Sequence, residues 1–285
     1  MKKDIRKEFL FSIRNSRFLI IAAAFMFLGL LTPLMLKVIL PMVFSSQFPG
    51  MDEEMIAQMI DMSQFGSLQG FFGDLYEMGT VIVAFSLCGL VAQELKDNTL
   101  VIPLCSGKRF SDIVLSKMIV FSLVMTISTI ASASVSYLYS GLLFDFEVKY
   151  ASILQSSLLH SLYLIFILAC LILVGSLTSK PIATGLTTLI ISYGIHGIGS
   201  LLAINKWLPS GLIIQAQTLG KGLSDIANQG VVASESTGTA VIEGISSGKI
   251  SNSSLALSVT MTAVLIITFT ALSILRLRTM EHNRR

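Results

Sequence analysis

Six stretches of this chain run for sixteen residues or more without a charged side chain. No other feature restricts the fold so strongly. A helix crossing the hydrocarbon of a bilayer needs about 20 apolar residues, and in lipid every backbone N–H and C=O must be paired, which a helix achieves within itself. The first run, FLIIAAAFMFLGLLTPLML, lies between Arg17 and Lys37. A secretory signal peptide is its rival reading, but the apolar core of such a peptide is about 7–15 residues. Here the apolar sequence continues past Lys37 through VILPMVF, so the segment reads as a span. Met78–Gln93 is the shortest run, and its helix is expected to start near Phe71 and to carry Asp74 and Glu77 at its outer end. Met118–Phe144, Tyr150–Ser179 and Pro181–Asn205 follow; Lys180 alone separates the last two, which predicts an antiparallel hairpin. The sixth run lies between Lys249 and Arg276, with its dense core at Leu255–Leu275.

The expected fold is therefore an all-α integral membrane protein with six transmembrane helices in one domain. The spans are placed at about 17–40, 71–93, 114–143, 151–179, 181–205 and 253–275. Pro33 should kink the first, because proline removes an intrahelical donor and clashes with the preceding turn.

Composition agrees. Hydrophobic residues make up 53% of the chain and charged residues 13%, against roughly 25% charged in a soluble domain. So few charges cannot cover a water-soluble globular enzyme. Twenty basic and seventeen acidic residues leave a net charge of +3, and no basic stripe with interleaved aromatics occurs. Nucleic acid is thereby excluded as a partner. Cys88, Cys105 and Cys170 lie in unrelated settings without CxxC spacing, which supports neither a disulfide framework nor a zinc site.

Lysine and arginine concentrate on the cytoplasmic side of membrane proteins. The N-terminus, the 94–117 loop, Lys180 and the C-terminal tail together hold fifteen basic and six acidic residues, whereas the opposite side holds five and eleven. Both termini are expected in the cytoplasm, with residues 41–70 and 206–250 as outer loops.

Residues 1–16 precede the first span. Ile5, Phe9 and Ile13 recur at i, i+4 and i+8 and share one helical face, flanked by Lys2, Lys3, Arg6, Lys7 and Arg14. Such a segment suits an amphipathic helix lying in the membrane interface; a basic terminus that only sets topology is the plainer reading. The 94–117 loop mixes both charge signs with Leu95, Leu100, Val101, Ile102, Leu104 and Phe110. It is either a docking surface for a soluble partner or a solvated connector. WLPSGLIIQ, from Trp207, is too short to span and reads as interfacial or re-entrant. The Gly/Ser/Thr-rich stretch from Gly230 to Lys249 reads as a mobile loop.

No catalytic signature in its working context occurs in the sequence. There is no GxxxxGK[ST] phosphate loop and no HExxH, and the GxSxG string at 244–248 falls in a Gly/Ser/Thr-rich stretch rather than between a strand and a helix, so no enzymatic activity and no cofactor are assigned to this chain. His160 and His196 sit inside spans, where ionisable residues are candidates for function. Neither has a second ligand at i+3 or i+4, which favours a hydrogen-bonded or pathway-lining histidine over a metal ligand. Ser122, Thr126, Thr129, Ser136 and Ser140 form a hydroxyl stripe on the third span, with Ser132 alongside. Hydroxyls there either let helices pack closely or line a polar route.

Six spans, cytoplasmic termini, a basic amphipathic N-terminal helix and a sizeable loop between the second and third spans resemble the type-2 permease family of ATP-binding-cassette (ABC) transporters. In that family the second span ends in a glutamate, followed by a G-T-L-like step, a proline or glycine turn, a basic residue and a terminal lysine. Here Glu94, Asn98-Thr99-Leu100, Pro103, Gly107, Arg109 and the IVLSK ending at Lys117 take those places, with Asn98 where the family has glycine. The resemblance implies a permease subunit, usually of an exporter, that couples to separate cytosolic ATPases holding the ATP and magnesium. A second permease, identical or different, would complete the substrate path among the lipids of a bacterial or archaeal cell membrane. It further implies that Glu94, Lys108, Arg109, Asp112 and Lys117 grip the ATPase while Leu104 and Phe110 fill its cleft. A non-transporting membrane scaffold, an immunity protein of the same topology, and a stand-alone secondary carrier remain the alternatives.

Overall fold

A computed structural model of the chain describes residues 2–47, 61–99, 105, 107, 109–202, 204–218 and 252–282. Leu104, Lys108 and the Gly230–Lys249 loop lie outside the described residues, as do most of the two long outer loops.

Among the described residues six helices are long and apolar enough to cross a membrane: Arg17–Phe44, Gln64–Lys96, Phe110–Phe144, Tyr150–Thr178, Pro181–Leu201 and Leu255–Thr279, here called spans 1 to 6. The chain is a multi-pass membrane protein with no strand among the described residues. Span 4 is the centre of the bundle. Within its apolar window 78% of residues are buried, against 17% in span 6 and 28% in spans 1 and 5. It packs against spans 2, 3, 5 and 6 and buries Tyr163, Leu164, Phe166, Ile167 and Leu168. Spans 1, 5 and 6 instead turn Leu19, Phe27, Ile190 and Ile267 outward, as a surface against lipid tails requires.

Span 2 starts at Gln64, seven residues before the position expected from its charge-free run. Ser63 caps it, its hydroxyl accepting from the Gly66 N–H at 3.0 Å. Asp74 does not end the helix because Thr32 of span 1 donates its hydroxyl to Asp74 Oδ2 at 2.7 Å. A partner for the carboxylate offsets the cost of placing an acid among packed helices. Two π-helical turns interrupt the spans. One, Met35–Ile39, follows Pro33 closely in span 1; the other, Leu75–Gly79, follows Asp74 in span 2.

Spans 4 and 5 form the expected hairpin. Ser179 adopts a left-handed φ of 51°, and Pro181 opens the next helix at a position where its missing N–H costs nothing. Spans 1 and 3 meet at Gly29, where any side chain would collide with the Ser132 carbonyl. The short segment after Trp207 forms a helix, Ser210–Thr218, that buries Leu212 and Ile213 among spans 2, 4 and 6.

Candidate functional site

The N-terminal helix, Lys2–Arg14, packs on spans 1 and 3. Its inward residues are Glu8 and Ser12, one helical turn apart, which are 8% and 1% exposed. Phe9, Leu10, Phe11 and Ile13 face outward, and Ile5 is half-buried. Phe9 also touches Phe18 at 5.6 Å between ring centres, and Phe18 touches Phe121 at 5.4 Å, an aromatic chain across this helix, span 1 and span 3.

Beneath Glu8 lies Lys117, whose side chain is 2% exposed. Its Nζ donates to Glu8 Oε2 at 3.0 Å and to Glu94 Oε1 at 2.8 Å. Lys117 shares the inward face of span 3 with Val114 and Phe121, three and four residues away, so helical period places its charge where span 2 ends and the N-terminal helix crosses. One buried cation thus ties together three elements. Two carboxylates against one ammonium leave the junction with a net negative charge.

The ends of the 94–117 segment are also tied down locally. Asn98 takes a left-handed φ of 53°, and the Thr99 N–H reaches back to the Glu94 carbonyl at 3.1 Å. Asparagine tolerates that backbone better than most residues with a Cβ, which accounts physically for its presence where the resembled family has glycine. At the other end Phe110 is buried at the first turn of span 3, Asp112 is half-buried there and favoured by the helix dipole, and Arg109 is exposed. Lys117 faces Glu94 rather than solvent, so of the described polar residues expected on the loop surface Arg109 is exposed, Asp112 and Glu94 are part-exposed, and Lys117 is buried.

A second cluster lies further along spans 2, 4 and 5. Tyr163 and Ser192 share a buried hydrogen bond between hydroxyls. The Tyr193 hydroxyl donates to the Glu77 carbonyl at 2.7 Å. Tyr76 stands between them, with ring centres 5.6 Å from Tyr163, 5.7 Å from Tyr193 and 5.0 Å from His196. His160, fully buried, lies 6.1 Å from Tyr163 and 6.0 Å from Phe72. The two histidines, isolated in sequence, therefore belong to one aromatic belt. Neither ring nitrogen of His160 has a hydrogen bond of good geometry, although the Leu75 backbone lies close by. No three His, Cys, Asp or Glu side chains among the described residues are grouped to hold a metal ion.

Between spans 2 and 5 this belt borders a cavity of about 510 Å³, walled by Tyr76, Glu77, Val81, Tyr193, His196 and Gly197. The Leu75–Gly79 π turn supplies Tyr76 and Glu77. Such turns shift side-chain register at a point and are frequent at functional sites.

Most of the hydroxyl stripe of span 3 is buried within the bundle. Thr129, Ser132, Ser136 and Ser140 are buried; the Ser132 hydroxyl bonds the Thr129 carbonyl, and Ser140 bonds that of Tyr137. Half-buried Ser122 and Thr126 likewise bond carbonyls of their own helix, at Ile119 and Ser122. Sequence reasoning did not single out Glu8, Tyr76, Tyr163 or Tyr193, and it gave Glu77 only a place at the outer end of span 2. Glu8 carried one signal, an acid within a basic helix; the others became visible only once spans 2, 4 and 5 were side by side. Compared with known proteins, the chain matches no family model, no curated protein and no solved structure.

Proposed function

We propose that this chain is the membrane-embedded permease subunit of an ABC transporter, with the 94–117 segment as the surface on which a separate cytosolic ATPase acts. The observation that supports it most directly is the buried contact of Lys117 with Glu8 and Glu94. Both ends of the loop are bound to the same junction, and the N-terminal helix is bound to it as well. A displacement imposed on the loop reaches spans 2 and 3 and the N-terminal helix together, without slack in a linker. That is the mechanical requirement for a subunit driven by ATP binding elsewhere.

In this reading the N-terminal helix lies in the cytoplasmic interface, Phe9 and Ile13 toward lipid, and both termini are cytoplasmic. Arg109 and Asp112 contact the ATPase, which supplies ATP and magnesium chemistry. Two permeases, alike or different, enclose the substrate path, and transport is outward.

The test replaces residues 100–112 by a Gly/Ser linker of equal length. The tagged chain is purified from its native cells in mild detergent, and vanadate-sensitive ATP hydrolysis is measured in the eluate. Wild type should retain an ATPase and the linker variant should lose it. Equal hydrolysis in both, or none with wild type, would refute the proposal.

A further inference from the structure

We infer that the cavity between spans 2 and 5 binds a lipophilic organic cation. Its place in transport rests on the permease reading, but the binding itself does not. The volume of about 510 Å³ falls within the roughly 300–1,000 Å³ of small-molecule sites. Its wall combines three aromatic rings, Tyr76, Tyr193 and His196, with a single carboxylate, Glu77.

Among the described residues the charge of the site has one sign. Among the described residues no lysine or arginine lies within ion-pair distance of Glu77. Glu77 is exposed beside these rings, so a cation can reach its carboxylate directly, and ionisable residues within spans mark ligand or ion positions. Tyrosine faces attract cations through the ring quadrupole. The Tyr193 hydroxyl is occupied by the Glu77 carbonyl, which holds its ring in place. The Tyr76 hydroxyl and His196 Nδ1 are themselves buried, so these two residues offer an occupant ring surface rather than hydrogen-bonding groups.

The way in is lateral. No atom lies within 4 Å of where a side chain on Gly194 or Gly197 would stand, and Met78 beside them is 57% exposed. Glu77 is nineteen residues from Lys96, about 28 Å along the helix, close to the thickness of the hydrocarbon. A ligand entering there comes from the membrane boundary, its charge at Glu77 and its apolar part toward Val81. A second copy of the chain is the competing occupant.

The probe is radiolabelled tetraphenylphosphonium, with tetraphenylborate as its anion of matching shape, tested on the purified chain in lipid nanodiscs against empty discs. Wild type should bind the phosphonium saturably and the borate not at all. Glu77→Gln should weaken binding about tenfold or more, and Tyr76→Ala about threefold to thirtyfold. Both variants should elute from size exclusion and melt as wild type does, which shows that the fold survives changes at this wall. Absent saturable binding to wild type, binding unchanged in Glu77→Gln, or equal uptake of borate would overturn the inference. So would a Gly197→Cys chain that cross-links fully to a second copy regardless of phosphonium. No ATPase enters this assay, so its failure leaves the coupling proposal standing, and loss of ATPase coupling leaves this site standing.

Discussion

Lys117 Nζ stands 2.8 Å from Glu94 Oε1, joining the start of span 3 to the end of span 2 across twenty-three residues. The same ammonium reaches Glu8 at 3.0 Å, 109 residues away. A lysine that is 2% exposed has given up its hydration for these two contacts, so its loss leaves two acids facing each other in a poorly solvated place.

Removing Lys117 alone should therefore cost more than removing the whole junction. Breaking a buried ion pair by deleting one partner costs roughly 3–5 kcal/mol. Lys117→Ala belongs at the lower end, because Glu94 keeps 26% of its side chain in solvent. The triple change Lys117→Met, Glu8→Gln and Glu94→Gln should recover much of the loss. Thermal unfolding in detergent reads both, and a Lys117→Ala chain as stable as wild type would contradict the assignment.

Thr32→Val should uncover what Asp74 costs inside the bundle. The lost hydrogen bond is to a carboxylate, and bonds to charged groups contribute about 1.5–3 kcal/mol. The 2.7 Å contact is part-buried, so about 1.5 kcal/mol is expected. Asp74→Asn in the Thr32→Val background should regain stability, whereas a purely steric effect of valine would not respond to it.

Cys105 offers a test of topology without mutation. It is exposed, while Cys170 is buried and Cys88 only part-exposed. If the 94–117 loop is cytoplasmic, a membrane-impermeant maleimide should label Cys105 in inverted vesicles and spare it in intact cells. Labelling from outside at Cys105 would reverse the orientation.

The outward apolar residues of the N-terminal helix should touch lipid. Phe11 is 46% exposed, and Trp207 is the sole tryptophan. In a Phe11→Trp, Trp207→Phe chain, fluorescence should be quenched most strongly by lipids brominated near the headgroup. Quenching no greater than for a free aqueous tryptophan would mean that the helix does not lie in the interface.

The six spans were legible because a bilayer imposes a length. Charge-free runs near 20 residues have few other uses, and the runs at 150–179 and 181–205 lie within four residues of the ends of spans 4 and 5. Span 2 begins at Gln64 rather than near Phe71, seven residues earlier than its charge-free run suggested, and the partner of the Asp74 that it carries, Thr32, lies 42 residues away on another helix. Span 1 likewise continues past Lys37, whose ammonium sits 5.2 Å from the Phe144 ring centre. The residues that prompted attention at the candidate site, Glu94, Lys117 and His196, were visible as charges or ionisable groups beside or within apolar runs. What they touch was not.

That division has one physical cause. Lipid tails and protein interiors are almost equally apolar, so hydrophobicity along a span reports that it is out of water but not which face meets protein. Leu168 and Ile267 look alike in sequence, yet one is buried in the core and the other is 68% exposed. The sequence by itself determined how many times the chain can cross and, through lysine and arginine, which way it should point. Only the tertiary structure decided that Glu8 and Glu94 share Lys117, that Ser210–Thr218 inserts among the spans, and that Tyr76, Tyr193 and His196 face one cavity, because each depends on short-range contacts between helices distant in sequence.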